Sequence, residues 1–388
     1  LNEEADEQLL ATAIAAVDDD EYTAVSIPSK YKQDFIDALL SNSELCDRFD
    51  NMTCINVRPD DETGELIQQG ATSIVFKAND ATDGRRIAVK ICDTTRNRAR
   101  ANRMLEWESG ILNLIKGKKH CPELRTPFRE LKVRTSSGDE ATSYFSTIYY
   151  RTDVRRLFFR EENGSGICLA NKLAVFISLV TSIQALHKRG ICHRDIKPEN
   201  FRATVRDGRT DVIAIDLGLA LVDHETERKL QLFSPESIGN QCYAAPEKLC
   251  GFENDYELGF GADVYSLGCL LFELASRDLF YEQFKKLNRN CYAQILNDCE
   301  VHKTEGESLQ KRLDVYHENM DRDFSRLTLP RIEETSSIPP ATKHELQSLI
   351  DSMCAPDYRR RLTDLCSVKE RLRTVIHMLE NTGRRCTR

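Results

Sequence analysis

The hydrophobic pattern of this chain changes once along its length, and that change restricts the fold more than composition does. From Leu66 to Ile91 apolar residues arrive in short β-rich runs, Ile74-Val75-Phe76-Lys77-Ala78 and Arg86-Ile87-Ala88-Val89-Lys90-Ile91, parted by turn formers between Asn79 and Gly84. A helix is predicted around residues 103–115. Alternating aromatic and hydroxyl residues over 142–150 predict a half-buried strand. Beyond Asn171 the spacing is helical. Leu173, Phe176, Ile177, Val180, Ile183 and Leu186 form one stripe, His187-Lys188-Arg189 suits a helix C-terminus, and Gly190 ends it. A strand-rich part followed by a helical part predicts an α+β fold of two lobes with a cleft between them. At 388 residues the chain is long enough for two such units.

The flanks read differently. Residues 1–55 are expected to form an acidic helical N-terminal extension. Leu10, Ala13, Ile14 and Val17 share a face behind an acidic first turn, and Phe35, Ile36 and Leu39 mark a second short helix after Pro28. Such helices pack on the adjoining domain, or serve as a docking segment for a regulatory partner. Residues 56–152 are read as the first lobe, 153–376 as the second and 377–388 as a basic tail. Arg206-Asp207-Gly208-Arg209, between Phe201 and Ile215, is a hairpin signal. Residues 277–340 read as an elaborated stretch of helices and loops.

Composition narrows the function. A net charge of −8 argues against a general nucleic-acid binder, because a phosphate backbone rewards clustered Lys and Arg. The 14 cysteines are scattered with no CxxC pair, which gives a zinc site little support and suits a reducing, cytoplasmic setting. No secretory leader and no run of 18 apolar residues is seen, so no membrane span is expected.

The chemistry concentrates in residues 193–200, His-Arg-Asp-Ile-Lys-Pro-Glu-Asn. Asp195 can accept a hydroxyl proton, Lys197 can neutralise a phosphate in flight, and the Asn200 amide oxygen can ligate Mg²⁺. Phosphoryl transfer needs these groups, since it depends on positioning and charge neutralisation more than on covalent chemistry. The octet resembles the catalytic loop of eukaryotic-type protein kinases of the serine/threonine class, and further blocks follow in that family's order. Ile67-Gln-Gln-Gly70-Ala-Thr-Ser-Ile-Val75 is similar to the phosphate loop, with Gly70 its only surviving glycine. Ile87-Ala88-Val89-Lys90 is similar to the strand whose lysine meets the α- and β-phosphates. Glu108, ahead of Ile111-Leu112, is the carboxylate the resemblance pairs with Lys90, and Glu106 is the rival. Asp216-Leu217-Gly218 ends a strand and resembles the second metal-ligand motif, with Leu217 where Phe is usual.

Ala245-Pro246-Glu247 resembles the end of an activation segment, with Arg361 as the expected partner of Glu247. Asp263 is expected to brace the catalytic-loop backbone. The resemblance covers about residues 64–376. It implies a bilobal protein-kinase-like fold, ATP and Mg²⁺ as cofactors with Asn200 and Asp216 as metal ligands, and transfer of the γ-phosphoryl group to protein serine or threonine. Ile67, Gly70, Val75, Ala88, Lys90 and Glu108 would bind nucleotide; Asp195 and Lys197 would be catalytic. Lys197 fits the serine/threonine pattern, while Asn240 stands where Thr is usual. Arg194 marks the class whose activation loop is often ordered by phosphorylation, with Thr226, Ser234 and Ser237 as candidate acceptors. Two other readings compete: a nucleotide-binding pseudokinase acting as a scaffold, motivated by the depleted phosphate loop, and a small-molecule phosphotransferase.

Overall fold

The computed structural model describes residues 30–59, 66–68, 72–94, 98–159, 168–206, 209–235, 239–289, 291, 293, 295–297, 308–323, 326–333 and 337–386. The helix expected around Leu10–Val17, together with Gly70 and Ser237, lies outside these residues.

In the strand-rich lobe, β1 (Phe49–Cys54), β4 (Ser73–Asp80), β5 (Arg86–Cys92), β6 (Leu124–Thr135) and β7 (Gly138–Ile148) form one antiparallel sheet in the order β1-β4-β5-β7-β6. A separate ribbon pairs β2 (Val57–Pro59) with β3 (Leu66–Gln68). Strand alternation divides the side chains of β4 and β5 between two faces. Ile74, Phe76 and Ala78 of β4 and Ile87, Val89 and Ile91 of β5 are buried on one face. Val75 lies opposite Lys90, and Lys77 opposite Ala88, on the other.

The apolar face is covered by α1 (Lys30–Leu40) and α2 (Ser43–Arg48), whose Phe35, Ile36, Leu39 and Leu45 join the sheet residues in one apolar cluster. Lys32 of α1 reaches Asp93, just past β5, at 3.0 Å with both side chains buried. The helix expected after Pro28 is therefore present, but the boundary drawn at residue 55 does not separate a domain. Phe49–Cys54 is the edge strand of the sheet, and Phe35, Ile36, Leu39 and Leu45 are part of that lobe's core. Phe35→Ala is expected to destabilise the protein by about 3–5 kcal/mol, because Phe35 is fully buried and its loss leaves a cavity. Urea unfolding followed by tryptophan fluorescence checks this, and a midpoint unchanged from the parent would refute it.

The helix expected over 103–115 is α3 (Arg98–Leu114). β6 has no counterpart in the sequence reading. Its sequence is rich in charge, and Pro127 falls inside a register shift against β7. A proline at a bulge removes no ladder hydrogen bond, so the strand tolerates it.

The larger lobe contains α4 (Val154–Phe159), α5 (Leu169–His187), α6 (His224–Leu230), α7 (Tyr256–Ser276), α8 (Phe280–Leu287), α9 (Leu309–Asp323), α10 (Pro340–Met353) and α11 (Leu365–Cys386). α5, α7, α10 and α11 share the main core. The α5 stripe is buried as expected, but Ala174, Val175 and Leu179 are buried too, so the helix is apolar nearly all round. α5 and α7 are long and apolar enough to cross a membrane by length and composition, yet 67% and 72% of those stretches is buried within the lobe. α11 continues to Cys386, so the boundary drawn at 376 falls inside a helix. The predicted hairpin appears as β9 (Phe201–Arg206) paired antiparallel with β10 (Arg209–Ala214), while β8 (Thr152–Asp153) pairs with the other edge of β9. Its register places Phe201 opposite Ala214, and the Ile215 amide donates to the Asn200 carbonyl at 2.8 Å. One hairpin thus brings the end of the octet beside Asp216.

Candidate active site

Three elements shape the loop that carries Asp195. Asp263, on α7, accepts the backbone amides of His193 at 2.7 Å and Arg194 at 2.8 Å, and meets His187 Nε2 at 2.9 Å. Burial opposes its charge, but His187 and the amides hold its pKa below the ordinary carboxylate value. Arg194 has φ 68°, a left-handed conformation that costs a non-glycine residue about 1–3 kcal/mol. The two bonds to Asp263 and a third, from Lys248 Nζ to the Arg194 carbonyl at 2.7 Å, hold it there. Burial, aided by the Arg194 guanidinium, takes Lys248 down to about 8. Gly239 completes the frame. Its φ is 75°, and a Cβ there would lie 2.7 Å from the Arg194 carbonyl oxygen. This close approach lets the Asn240 amide donate to Asp195 Oδ1 at 2.9 Å.

The Asp195 carboxylate also accepts from Lys197 Nζ at 2.7 Å and from the Asn200 side-chain nitrogen at 2.9 Å, both on Oδ2. The same Asn200 nitrogen donates to the Asp195 carbonyl at 2.8 Å. With that nitrogen engaged, Oδ1 is the Asn200 atom available to a cation. Asp216, in the left-handed region at φ 62°, brings its carboxylate to the same space. Asp195 borders a cleft of about 410 Å³ whose lining includes Val75, Ala88, Lys90, Glu108, Lys197, Asn200 and Asp216. Oxygen donors from Asp216 and Asn200 suit a hard divalent cation. Among the described residues no group of three or more His, Cys, Asp and Glu side chains converges on another metal position.

Lys90 connects the two lobes. Its Nζ lies 2.6 Å from Glu108 Oε2 and 2.8 Å from Asp216 Oδ1. Burial would lower its pKa, but Asp216 and Glu108 together raise it above the ordinary lysine value. Asp216, 45% exposed to the cleft, is pushed up by its partial enclosure but brought down to about 2, chiefly by Lys90. Glu108 behaves oppositely. It is 6% exposed, and burial outweighs Lys90 to push it up to about 7. Trp107, beside it on α3, donates to the Ala220 carbonyl at 3.0 Å and fixes the helix against the segment after Asp216.

Glu108 sets a pH dependence. Its pKa is higher folded than its ordinary value of 4.5, so between about 4.5 and about 7 the native state binds more protons than the unfolded chain, and stability falls as pH rises across that window. Glu108→Gln cannot titrate and is expected to flatten the slope, as measured by denaturant unfolding at a series of pH values. An unchanged slope would assign the effect elsewhere.

The structure gathers Val75, Ala88, Lys90, Glu108, Lys197, Asn200 and Asp216 around one cleft, with Asp195 bonded to Lys197 and Asn200 of its lining. Glu106 is only partly buried, and Lys90 pairs with Glu108 instead. Leu66–Gln68 pairs with Val57–Pro59, and the strand beside β4 is Phe49–Cys54. Ile55 and Asn56 line the cleft, while the side chain of Ile67 lies outside the described residues. Asn56 clamps β4, accepting from the Val75 amide at 2.7 Å and donating to the Ser73 carbonyl at 2.9 Å. Sequence patterns gave no signal for Ile55, Asn56 or Lys248. Below the cleft, Arg361 meets Glu247 in a two-pronged pair at 2.6 and 3.0 Å, both side chains fully buried. Its guanidinium also lies 5.1 Å from the Tyr265 ring centre.

Comparison with known proteins gives the same picture. The chain is 27% identical over 232 residues to "Serine/threonine-protein kinase PknD" of Protochlamydia amoebophila, covering 54% of this chain and 22% of that protein. It is 26% identical over 239 residues to "CBL-interacting serine/threonine-protein kinase 15" of Arabidopsis thaliana, covering 59% and 51%. It is 32% identical over 163 residues to "Probable cell division control protein 7 homolog 2" of Encephalitozoon cuniculi, covering 42% and 41%. The aligned part is thus about half the length of these relatives or less. The model of the protein kinase domain matches residues 62–374, which span the larger lobe, most of the smaller one and every group named around the cleft except Ile55 and Asn56. The chain belongs to the protein kinase domain family.

Proposed function

We propose that this protein transfers the γ-phosphoryl group of ATP, with Mg²⁺, to serine and threonine hydroxyls of proteins. The observation that carries the reading is the convergence of Lys90, Lys197, Asn200 and Asp216 on one cleft, with Asp195 bonded to Lys197 and Asn200. In this reading the adenine lies against Val75 and Ala88. Lys90, aimed by Glu108, holds the phosphates, and Asp195 accepts the acceptor hydroxyl's proton. Lys197 lies 2.7 Å from Asp195, where it neutralises charge on the transferring group. Asn200 and Asp216 would hold Mg²⁺, which neutralises phosphate charge when bound. Serine/threonine preference rests on Lys197 and on the names of the relatives.

We also propose autophosphorylation within residues 219–241, at Thr226 or Ser234. The Ser234 hydroxyl is buried without a hydrogen-bond partner among the described residues, so modification there requires the segment to open first.

The test is incubation with γ-labelled ATP, Mg²⁺ and mixed acidic and basic acceptor proteins, followed by phosphoamino-acid analysis. Label on serine or threonine that disappears with EDTA is expected. Nucleotide binding without transfer to any acceptor would favour the scaffold reading.

A further inference from the structure

We propose that the acceptor segments this protein uses are acidic, because the carboxylate at the cleft mouth is already paired within the chain and the helix behind the Asn240 turn carries exposed cations. The inference rests on the kinase reading, in which the acceptor hydroxyl sits at Asp195.

On one side, Arg155 of α4 pairs its guanidinium with Glu199, the carboxylate that the catalytic loop turns toward the cleft mouth. Glu199 is therefore already neutralised from within the chain, and a basic acceptor would have to displace Arg155 to reach it. The other carboxylate here, Glu273, accepts the Tyr243 hydroxyl at 2.6 Å.

On the other side, the Asn240 amide touches Asp195 directly, and the adjoining turn Gln241–Tyr243 packs against α8. α8 carries Lys285 and Lys286, and Arg289 follows it; all three are exposed. They line a surface depression of about 540 Å³ in which Glu282 is the one carboxylate among the described residues. A chain whose net charge is −8 thus presents three exposed cations on and just after the helix that packs against the turn following Asn240. Matching charge there speeds encounter and sets register, whereas like charge is rejected. Acidic residues flanking the acceptor hydroxyl fit the Lys285, Lys286 and Arg289 side, and basic ones find no free carboxylate in Glu199.

The test uses three peptides of equal length around one serine, flanked by Glu, by Ala or by Arg. The expected order of kcat/KM at low salt is Glu over Ala over Arg. Glu should exceed Arg by about tenfold or more, which is what two or three exposed ion pairs contribute together. The gap should shrink as salt rises. Combined Lys285→Glu, Lys286→Glu and Arg289→Glu is expected to remove most of the preference for the Glu peptide while leaving the Ala peptide nearly unaffected. Preference for the Arg peptide, or an unchanged ranking in the triple variant, would overturn the proposal. Should that variant fold poorly, the salt dependence of the unmodified protein decides alone, and a Glu-to-Arg ratio insensitive to salt would count against it. Transfer to none of the three peptides, with nucleotide still bound, would overturn the kinase reading instead.

Discussion

Asp195→Asn is expected to lower phosphoryl transfer about a thousandfold, within the range that loss of a positioned general base produces. The substitution keeps the shape of a side chain that Lys197, Asn200 and the Asn240 amide all address. It removes the charge that draws a hydroxyl proton, and it frees Lys197 from its anchor. Nucleotide affinity should change little, because Lys90 and Asp216 are untouched. Single-turnover transfer and equilibrium nucleotide binding on the same preparation separate the two effects. A variant that transfers phosphate at the parental rate would remove Asp195 from the chemistry.

Arg361→Ala is expected to cost as much stability as Phe35→Ala, for an electrostatic reason. Arg361 and Glu247 are fully buried, and Arg361 also donates twice to the Ala355 carbonyl at 3.1 Å. Burial disfavours the guanidinium, but Glu247 raises its pKa above even the ordinary arginine value. Removing one partner leaves an uncompensated carboxylate in the core, at a cost of about 3–5 kcal/mol. Replacing both partners, Arg361→Met with Glu247→Leu, is expected to recover part of that loss because no lone charge remains. Denaturant titration of the single and double variants measures the difference. Equal stability of the two would mean that the charge left behind is not what destabilises the single variant.

Much of the chemistry could be read in advance because it lies in consecutive residues. The octet carries Asp195, Lys197 and Asn200 together, and strand alternation places Lys90 beside Ala88. The resemblance to the family's Glu-x-x-Ile-Leu pattern likewise favours Glu108 over Glu106. What escaped the sequence depends on contacts between distant segments. β1, Phe-Asp-Asn-Met-Thr-Cys, is a polar edge strand with no clear alternation, so nothing local announces its pairing with β4. Ile55 and Asn56 reach the cleft only because of that pairing. Lys248 reads as an ordinary surface lysine, and only the fold shows it buried against the Arg194 carbonyl. Gly239 reads as a loop glycine until the closeness of residue 194 explains it.

The two short helices ahead of the sheet bear on how this protein should be handled. The kinase-family match begins at residue 62, after both of them and after the edge strand. A fragment started at that point would open Phe76, Ile87 and Val89 to water and leave one rim of the sheet unpaired. Sticky apolar surface beside an unsatisfied strand invites self-association. Recombinant expression from residue 62 should therefore yield inclusion bodies, whereas a start ahead of Lys30 should keep the small lobe soluble.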